Sequence, residues 1–178
     1  TGAFGLEAGV LKADILLNLD TEDDDEFSIG CAGGIDTNTK YNYTEEPASG
    51  IAYAITVKGL KGGHSGMDIH LQRGNANKIM NRLLWNCEAY ELRIAEINGG
   101  SLRNAIPRES FATITVKDDS YLDIFSKRVE EIKGEFSVSD GGLIIEISAV
   151  DLPKKVMSKR DVFKLTNVVY ALHNGVYR

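Results

Sequence analysis

A glycine-rich stretch around His64 holds the residues of this sequence that are best placed to do chemistry. The segment reads GLKGGHSG over residues 59–66. Imidazole donates and accepts protons near neutral pH, and glycines on both sides leave the backbone free to take positive φ angles with little bulk around the ring. Such a loop can carry His64 to a ligand. The alternative is a solvated turn with an incidental histidine, and spacing alone favours that alternative, because short motifs often arise by chance.

The other chemically active residues do not complete a recognisable site. The chain has three histidines, His64, His70 and His173, and contains neither an HExxH motif nor a CxxC pair. A catalytic zinc needs three protein ligands that converge on one point. Asp20 is a candidate for one of them, because it closes the apolar run 14–20, and open α/β sheets place ligand-binding groups at the carboxyl ends of such strands. The sequence therefore supplies parts of a polar site.

Two further interpretations of the polar residues are weak. The acidic run 21–26 makes a poor calcium loop, since no glycine stands at the sixth position counted from Asp20 and Cys31 occupies the twelfth. Ser65 follows His64, but the strand-to-helix elbow of a serine nucleophile is missing. We interpret the acidic run as a solvated loop.

The elements that must position these residues follow from hydrophobic periodicity. Between residues 51 and 150, period-2 alternation and apolar helical stripes occur in the order β-α-β-β-α-β. This order predicts an α+β fold, a split four-stranded antiparallel sheet with two helices on one face, preceded by an edge piece of an α/β domain. The predicted strands are 51–60, 91–97, 109–116 and 143–150, and the predicted helices are 75–89, 121–132 and 159–172.

Composition excludes several classes of function. The 178 residues are 43% hydrophobic and 26% charged, with a formal net charge of −6, which argues against a nucleic-acid surface. No apolar run has the length of a membrane span. The two cysteines, Cys31 and Cys87, have neither a metal-binding spacing nor the pattern of a disulfide framework. These features indicate a cytoplasmic protein with no membrane partner.

Four segments together resemble one enzyme family. They are LEAGVLKADILLNLDTED, GCAGGID, VKGLKGGHSGMDIHLQRGNANK and INGGSLRNAIPRES, in this order. The sequence resembles the aminoacylhistidine (Xaa-His) dipeptidases, also called beta-alanyl-histidine dipeptidases, within the clan of co-catalytic zinc peptidases. The resemblance implies hydrolysis of a dipeptide by an intact enzyme with two zinc ions.

The resemblance also implies a domain organisation. In this family a lid domain interrupts the catalytic domain. Residues 1–37 would be the last piece of the catalytic domain before the lid, and residues 38–178 would be a lid that is incomplete at its C-terminal end. We therefore expect a fragment that is inactive alone and that forms a homodimer, if at all, through the lid.

Residue roles are implied by the same resemblance. Asp20 matches a zinc-ligand aspartate, although Leu19 and Thr21 replace the family's usual Thr and Ser beside it. His64 matches a catalytic lid histidine that polarises the scissile carbonyl. Asn104 matches an asparagine that contacts the substrate. His70 also matches a family position, and we interpret it as structural.

A second hypothesis belongs to a different class of protein. Split-βαβ sheets are common interaction domains, and fold alone does not determine function. The chain could therefore be a non-enzymatic binding or dimerisation module. The two hypotheses differ in whether the flanking sequence of the parent protein carries the remaining metal-ligand motifs.

Overall fold

A computed structural model describes residues 5, 7–15, 17, 25 and 33–176 of the chain. The chain divides into two compact units, Thr1–Lys40 and Tyr41–Arg178. In the first unit the described residues form turns and irregular chain, and the predicted strand over 14–20 falls largely outside them. The predicted domain boundary near residue 37 lies within residues 33–44, which belong to neither a helix nor a strand, close to the division between the two units.

The described part of the second unit, residues 41–176, contains six strands and three α-helices. Two short 3-10 helices, Ile69–Leu71 and Glu88–Tyr90, lie in its connections. No helix in the described part of the chain is long and apolar enough to cross a membrane. The strands are β1 Glu45–Pro47, β2 Ile51–Lys58, β3 Arg93–Gly99, β4 Ser110–Val116, β5 Ile144–Ala149 and β6 Lys155–Met157, and the helices are α1 Ala76–Leu84, α2 Tyr121–Glu135 and α3 Lys159–Ala171.

The main sheet has the strand order β3-β4-β2-β5, and every neighbouring pair is antiparallel. Alternate residues of β2, namely Tyr53, Ile55 and Val57, are buried in the core, because period-2 alternation turns one face of the strand towards the helices. Helix α1 connects β2 to β3, and α2 connects β4 to β5. The predicted split-βαβ topology is therefore confirmed, including strands over 91–97 and 143–150.

Helix α1 begins as predicted. The Asn75 side chain accepts hydrogen bonds from the backbone N–H groups of Asn77 and Lys78 at 3.0 and 3.3 Å, which satisfies two donors of the first turn. The predicted apolar face is buried. The helix ends at Leu84, earlier than the predicted residue 89, since Trp85 is extended and Asn86 takes a φ of +56°.

A small second sheet, which periodicity did not predict, pairs β1 with β6. It is reinforced by Asp161, whose carboxylate accepts from Tyr41 Oη at 2.6 Å, Thr44 N at 2.9 Å and Ser158 Oγ at 2.8 Å. The hydrogen bond from Tyr41, followed by those from Thr44 and Ser158, lowers the pKa of Asp161 to about 2. The start of the second unit is therefore bound to the first turn of α3.

The buried face of α3 differs from the predicted stripe. Val162 and Thr166 are buried, whereas Phe163 and Leu172 are 53% and 60% exposed. Docking on α1 decides which side is covered, because Asn81 Nδ2 donates to Thr166 O at 3.0 Å. The covered side of α3 therefore includes the polar Thr166 beside Val162 and Leu165 of the predicted stripe.

Candidate functional site

The loop between β2 and α1, residues 59–75, carries His64 and is here called the His64 loop. Its internal bonds involve two charged side chains. The carboxylate of Asp68 accepts from His64 N at 2.7 Å, and Asp68 N donates to His64 O at 3.0 Å. Arg73 donates to Gly62 O at 2.6 Å, and its guanidinium lies 3.8 Å from the Asp68 carboxylate. The loop is therefore fixed around His64.

Two glycines make this close packing possible. Gly62 and Gly63 have φ angles of +64° and +143°. A Cβ on Gly63 would lie 2.6 Å from Asp68 Oδ2 and 2.7 Å from Arg73. Any larger residue at position 63 would separate the two charged side chains from the backbone they hold, so glycine is required there by both conformation and space.

The imidazole of His64 has a defined orientation. Its Nδ1 atom accepts hydrogen bonds from the backbone N–H groups of Gly66 and Met67, both at 3.1 Å. A nitrogen that accepts two bonds carries no proton in the neutral ring, so the hydrogen-bond pattern assigns the proton to Nε2. The residue is exposed at the surface of the loop. His64 is therefore set to donate from Nε2.

The loop between β3 and β4, residues 100–109, carries Asn104 and is here called the Asn104 loop. Its backbone pairs with the His64 loop. Ser65 N donates to Asn104 O and Ile106 N donates to Gly63 O, both at 2.8 Å, so that His64 and Ala105 form an isolated antiparallel bridge. The structure thus brings together two of the three site residues predicted from the sequence.

The first turn of helix α1 is hydrogen-bonded to the Asn104 loop and to the end of β3 that precedes it. Ala76 N donates to Pro107 O at 2.9 Å, and Asn77 Nδ2 donates to Gly99 O at 3.4 Å. A cavity of about 270 Å³ lies beside the loop. It is lined mostly by the loop itself, together with the end of β3 and the start of β4. The exposed Asn104 side chain is consequently carried on a supported backbone next to a concave surface.

The third predicted site residue is Asp20, and His70 was predicted to have a structural role. Asp20, the predicted metal ligand, lies outside the described residues. His70 lies exposed on the short helix Ile69–Leu71 and lines a second cavity of about 590 Å³ with Arg73 and Lys78. Its predicted structural role stays a prediction.

A metal centre does not form among the residues whose positions the structure gives. Within residues 33–176 and the few described positions before them, no group of three or more His, Cys, Asp or Glu side chains converges. The donor set for zinc is therefore incomplete here, and His64 uses its Nδ1 for backbone N–H groups.

Sequence reasoning missed the side chains that hold the His64 loop. Asp68 and Arg73 are charged residues in a stretch otherwise rich in glycine, and that contrast was a usable signal. Asp140, whose carboxylate accepts from Lys61 N at 2.9 Å and Gly74 N at 2.8 Å, is distant in sequence from both loops, so no local pattern could have found it.

Comparison with known proteins defines first the class of the chain. Residues 55–137 match the family described as the peptidase dimerisation domain. This stretch begins in β2 and ends just after α2, so it contains both site loops and most of the main sheet. The stretch that holds both site loops is therefore similar to a peptidase dimerisation domain.

The particular relatives are dipeptidases. The chain is 42% identical over 186 residues to the cytosol non-specific dipeptidase of Escherichia coli (strain K12), with 99% of this chain and 38% of that protein covered. The crystal structure of aminoacylhistidine dipeptidase from Vibrio alginolyticus matches with a TM-score of 0.78 and 41% identity, over 99% of this chain and 37% of that one. The resemblance to the aminoacylhistidine dipeptidases is confirmed, and the chain spans less than two fifths of the length of either relative.

Proposed function

We propose that this chain is the lid part of a zinc-dependent dipeptidase that hydrolyses Xaa-His dipeptides such as beta-alanyl-histidine. The observation that carries the proposal is the pairing of the His64 and Asn104 loops through Ser65 N and Ile106 N, both at 2.8 Å. It places two exposed residues, His64 with a ring N–H donor and Asn104 with a carboxamide, on adjoining loops. The names of the two relatives, both dipeptidases, support the same reaction class.

His64 acts in this proposal on charge that develops during hydrolysis. Attack on the scissile carbonyl places negative charge on its oxygen, and the Nε2–H of His64 donates to that oxygen. A donor fixed in advance stabilises the transition state more than the ground state. The bonds from Gly66 and Met67 to Nδ1 fix both the tautomer and the ring orientation, so little reorganisation is needed.

Asn104 binds the substrate in this proposal. A carboxamide offers two N–H donors and one carbonyl acceptor, a set that suits the backbone end of a dipeptide. Closure of the lid over the substrate brings both loops to the reacting bond and excludes water.

The metal belongs to the proposal as well. Two zinc ions, when bound, would lower the pKa of a bridging water and polarise the carbonyl. Asp20 is the ligand that we propose this chain contributes.

Replacing His64 tests the function directly. In the full-length enzyme, His64→Ala should lower kcat by roughly a hundred- to a thousand-fold, the usual effect of losing one oxyanion donor, with a much smaller change in KM. Steady-state kinetics with beta-alanyl-histidine and a panel of other dipeptides give both constants. Zinc content, measured by atomic spectroscopy, should stay unchanged.

The matched control is His70→Ala in the same loop, which should keep near-normal kcat. A His64→Ala enzyme with normal kcat would refute the assignment, and loss of a zinc ion would make His64 a ligand instead. A full-length protein that hydrolyses no dipeptide would favour the alternative, a non-enzymatic binding module.

We further propose a second copy of the chain as a partner. Strand β5 lies at the edge of the main sheet and, within the described structure, pairs only with β2. An unpaired edge offers backbone donors and acceptors to another strand. The name of the matched domain, peptidase dimerisation domain, supports the same assembly.

Sedimentation velocity over a concentration series tests the dimer. Ile144→Lys, at the start of β5 where the side chain is 41% exposed, should weaken association because a charged edge opposes strand pairing. Val138→Lys, at a position that is 92% exposed outside the sheet, is the control and should associate like the wild type. A concentration-independent monomer would refute the proposal.

The proposed location is the cytoplasm. One relative is named a cytosol dipeptidase. Cys87 is a buried free thiol, whose pKa is raised by its burial, and a buried, protonated thiol is chemically inert.

A further inference from the structure

Asp140 is a buried carboxylate that the proposed reaction does not use. It lies between α2 and β5 with 1% of its surface exposed. Its Oδ1 accepts from Lys61 N at 2.9 Å and its Oδ2 accepts from Gly74 N at 2.8 Å. These two residues stand on either side of His64, so a single side chain holds both ends of the loop segment that carries the imidazole.

The position of Asp140 is itself fixed by regular structure. Asp140 N donates to Phe136 O at 2.8 Å at the end of α2, and Leu143 N donates to Asp140 O at 2.9 Å just before β5. The backbone of Asp140 is therefore held by the end of α2 and by the residue before β5. Through Asp140, the His64 loop at the surface is hydrogen-bonded to a residue that the core holds in place.

The chemistry of the site requires a carboxylate. Both of its oxygens must accept, since each faces a backbone N–H group. An amide at this position would place an NH₂ group against one of the two donors and leave a buried N–H without a partner. Burial acts to raise the pKa of Asp140, but the hydrogen bonds from Gly74, Lys61 and Ser139 outweigh it and lower the pKa.

We propose that Asp140 is a positioning residue for His64, which holds the two ends of the loop at Lys61 and Gly74 so that the imidazole keeps its Nε2–H tautomer and its place beside Asn104. The inference rests on the proposed function of His64 for its catalytic meaning. Its structural content stands on the two hydrogen bonds alone and can be measured without turnover.

The test is nitrogen-15 NMR of the His64 ring in the 178-residue chain. In the wild type, the ring nitrogens should show the Nε2–H tautomer predominantly. In Asp140→Asn, the two tautomers should mix because Gly66 N and Met67 N no longer hold Nδ1. Hydrogen exchange at Lys61 and Gly74 should quicken by about tenfold, the effect of one lost hydrogen bond, while Ile114 in β4 stays protected.

Asp161→Asn is the matched control. Asp161 is also a buried carboxylate, 4% exposed, and it also accepts a backbone N–H, but its partners Tyr41 and Thr44 are not residues of the His64 loop. This variant should lose stability and leave the His64 ring spectrum unchanged. Asp140→Glu, which keeps the charge and moves the oxygens, decides the matter if Asp140→Asn does not fold.

A folded Asp140 variant with wild-type His64 ring shifts would overturn the inference, as would an equal change in Asp161→Asn. In the full-length enzyme, Asp140→Asn should lower kcat more than it raises KM. If His64→Ala has normal kcat, the proposed function fails while the ring spectra still decide whether Asp140 positions His64.

Discussion

Single residues that hold this structure together are often carboxylates bound to backbone N–H groups. Asp68, Asp140 and Asp161 each accept at least one such bond. A sequence with 26 acidic residues gives no sign of which ones do this. The distinction depends on where distant backbone segments meet.

Asp161 gives a prediction about acid stability. Its pKa falls from an ordinary value of 3.8 to about 2 in the folded chain. A carboxyl group with a lowered folded pKa stabilises the fold above its unfolded pKa, and that stabilisation is lost as the pH falls through the folded pKa. The free energy of unfolding should therefore decline between about pH 4 and pH 2.

Urea unfolding at several pH values measures this decline. Asp161→Asn should be less stable than the wild type at pH 7, and its stability should depend less on pH in the acid range. Parallel curves for the two proteins would show that Asp161 does not carry this stabilisation.

Among single residues, the sequence predicted members of the candidate site only where they belong to a motif. The GGHSG and RNAIP segments pointed to His64 and Asn104, and their loops pair in the structure. The supporting residues could not be predicted, because Asp140 reaches Lys61 and Gly74 from a turn far along the chain. A motif shows which residues lie close together in one loop, but it does not show hydrogen bonds between residues that are distant in sequence.

The helices and strands were predictable where periodicity is strong. The four strands of the main sheet and the three helices overlap the predicted ranges, although α1 ends at Leu84 and not at residue 89. Strand β6 was missed, since three residues are too few to show a period. The predicted apolar stripe of α3 was right for Val162 and Leu165, which pack on the core, and wrong for Phe163 and Leu172, which are exposed.

Two glycines allow a prediction at the scale of an element. Gly59 follows β2 with a φ of +79°, and a Cβ there would lie 2.2 Å from Gly142 O. Gly134 lies in α2 with an ordinary helical φ, and a Cβ added to it would meet no atom within 4 Å. Gly59→Ala should destabilise the chain by more than about 1 kcal/mol, whereas Gly134→Ala should stabilise it by about 0.5–1 kcal/mol.

Chemical denaturation with circular dichroism detection gives both free energies. The paired design controls for the general effect of adding a methyl group. A Gly59→Ala chain as stable as the wild type would mean that the start of the His64 loop tolerates a different backbone conformation.

The chain spans only part of the length of its relatives. It covers 38% and 37% of the lengths of the two dipeptidases described above. We predict that the 178-residue chain alone hydrolyses no beta-alanyl-histidine, even with excess zinc, because a catalytic zinc needs at least three protein ligands and we assign one, Asp20, to this chain. Turnover that follows the purified chain through chromatography and stops on addition of a chelator would contradict this.

The stacking of Trp85 on Tyr170 has a practical consequence. The chain has one tryptophan, its ring lies 4.1 Å from that of Tyr170 with planes 6° apart, and its indole N–H donates to Asn167 Oδ1 at 3.3 Å. Trp85 follows α1, and both partners belong to α3. Indole emission responds to the polarity and mobility around the ring. Because Trp85 is the single tryptophan, separation of α3 from α1 would change the tryptophan fluorescence of the chain. The chain therefore contains its own optical reporter, and stopped-flow fluorescence could time the docking of α3 without any attached dye.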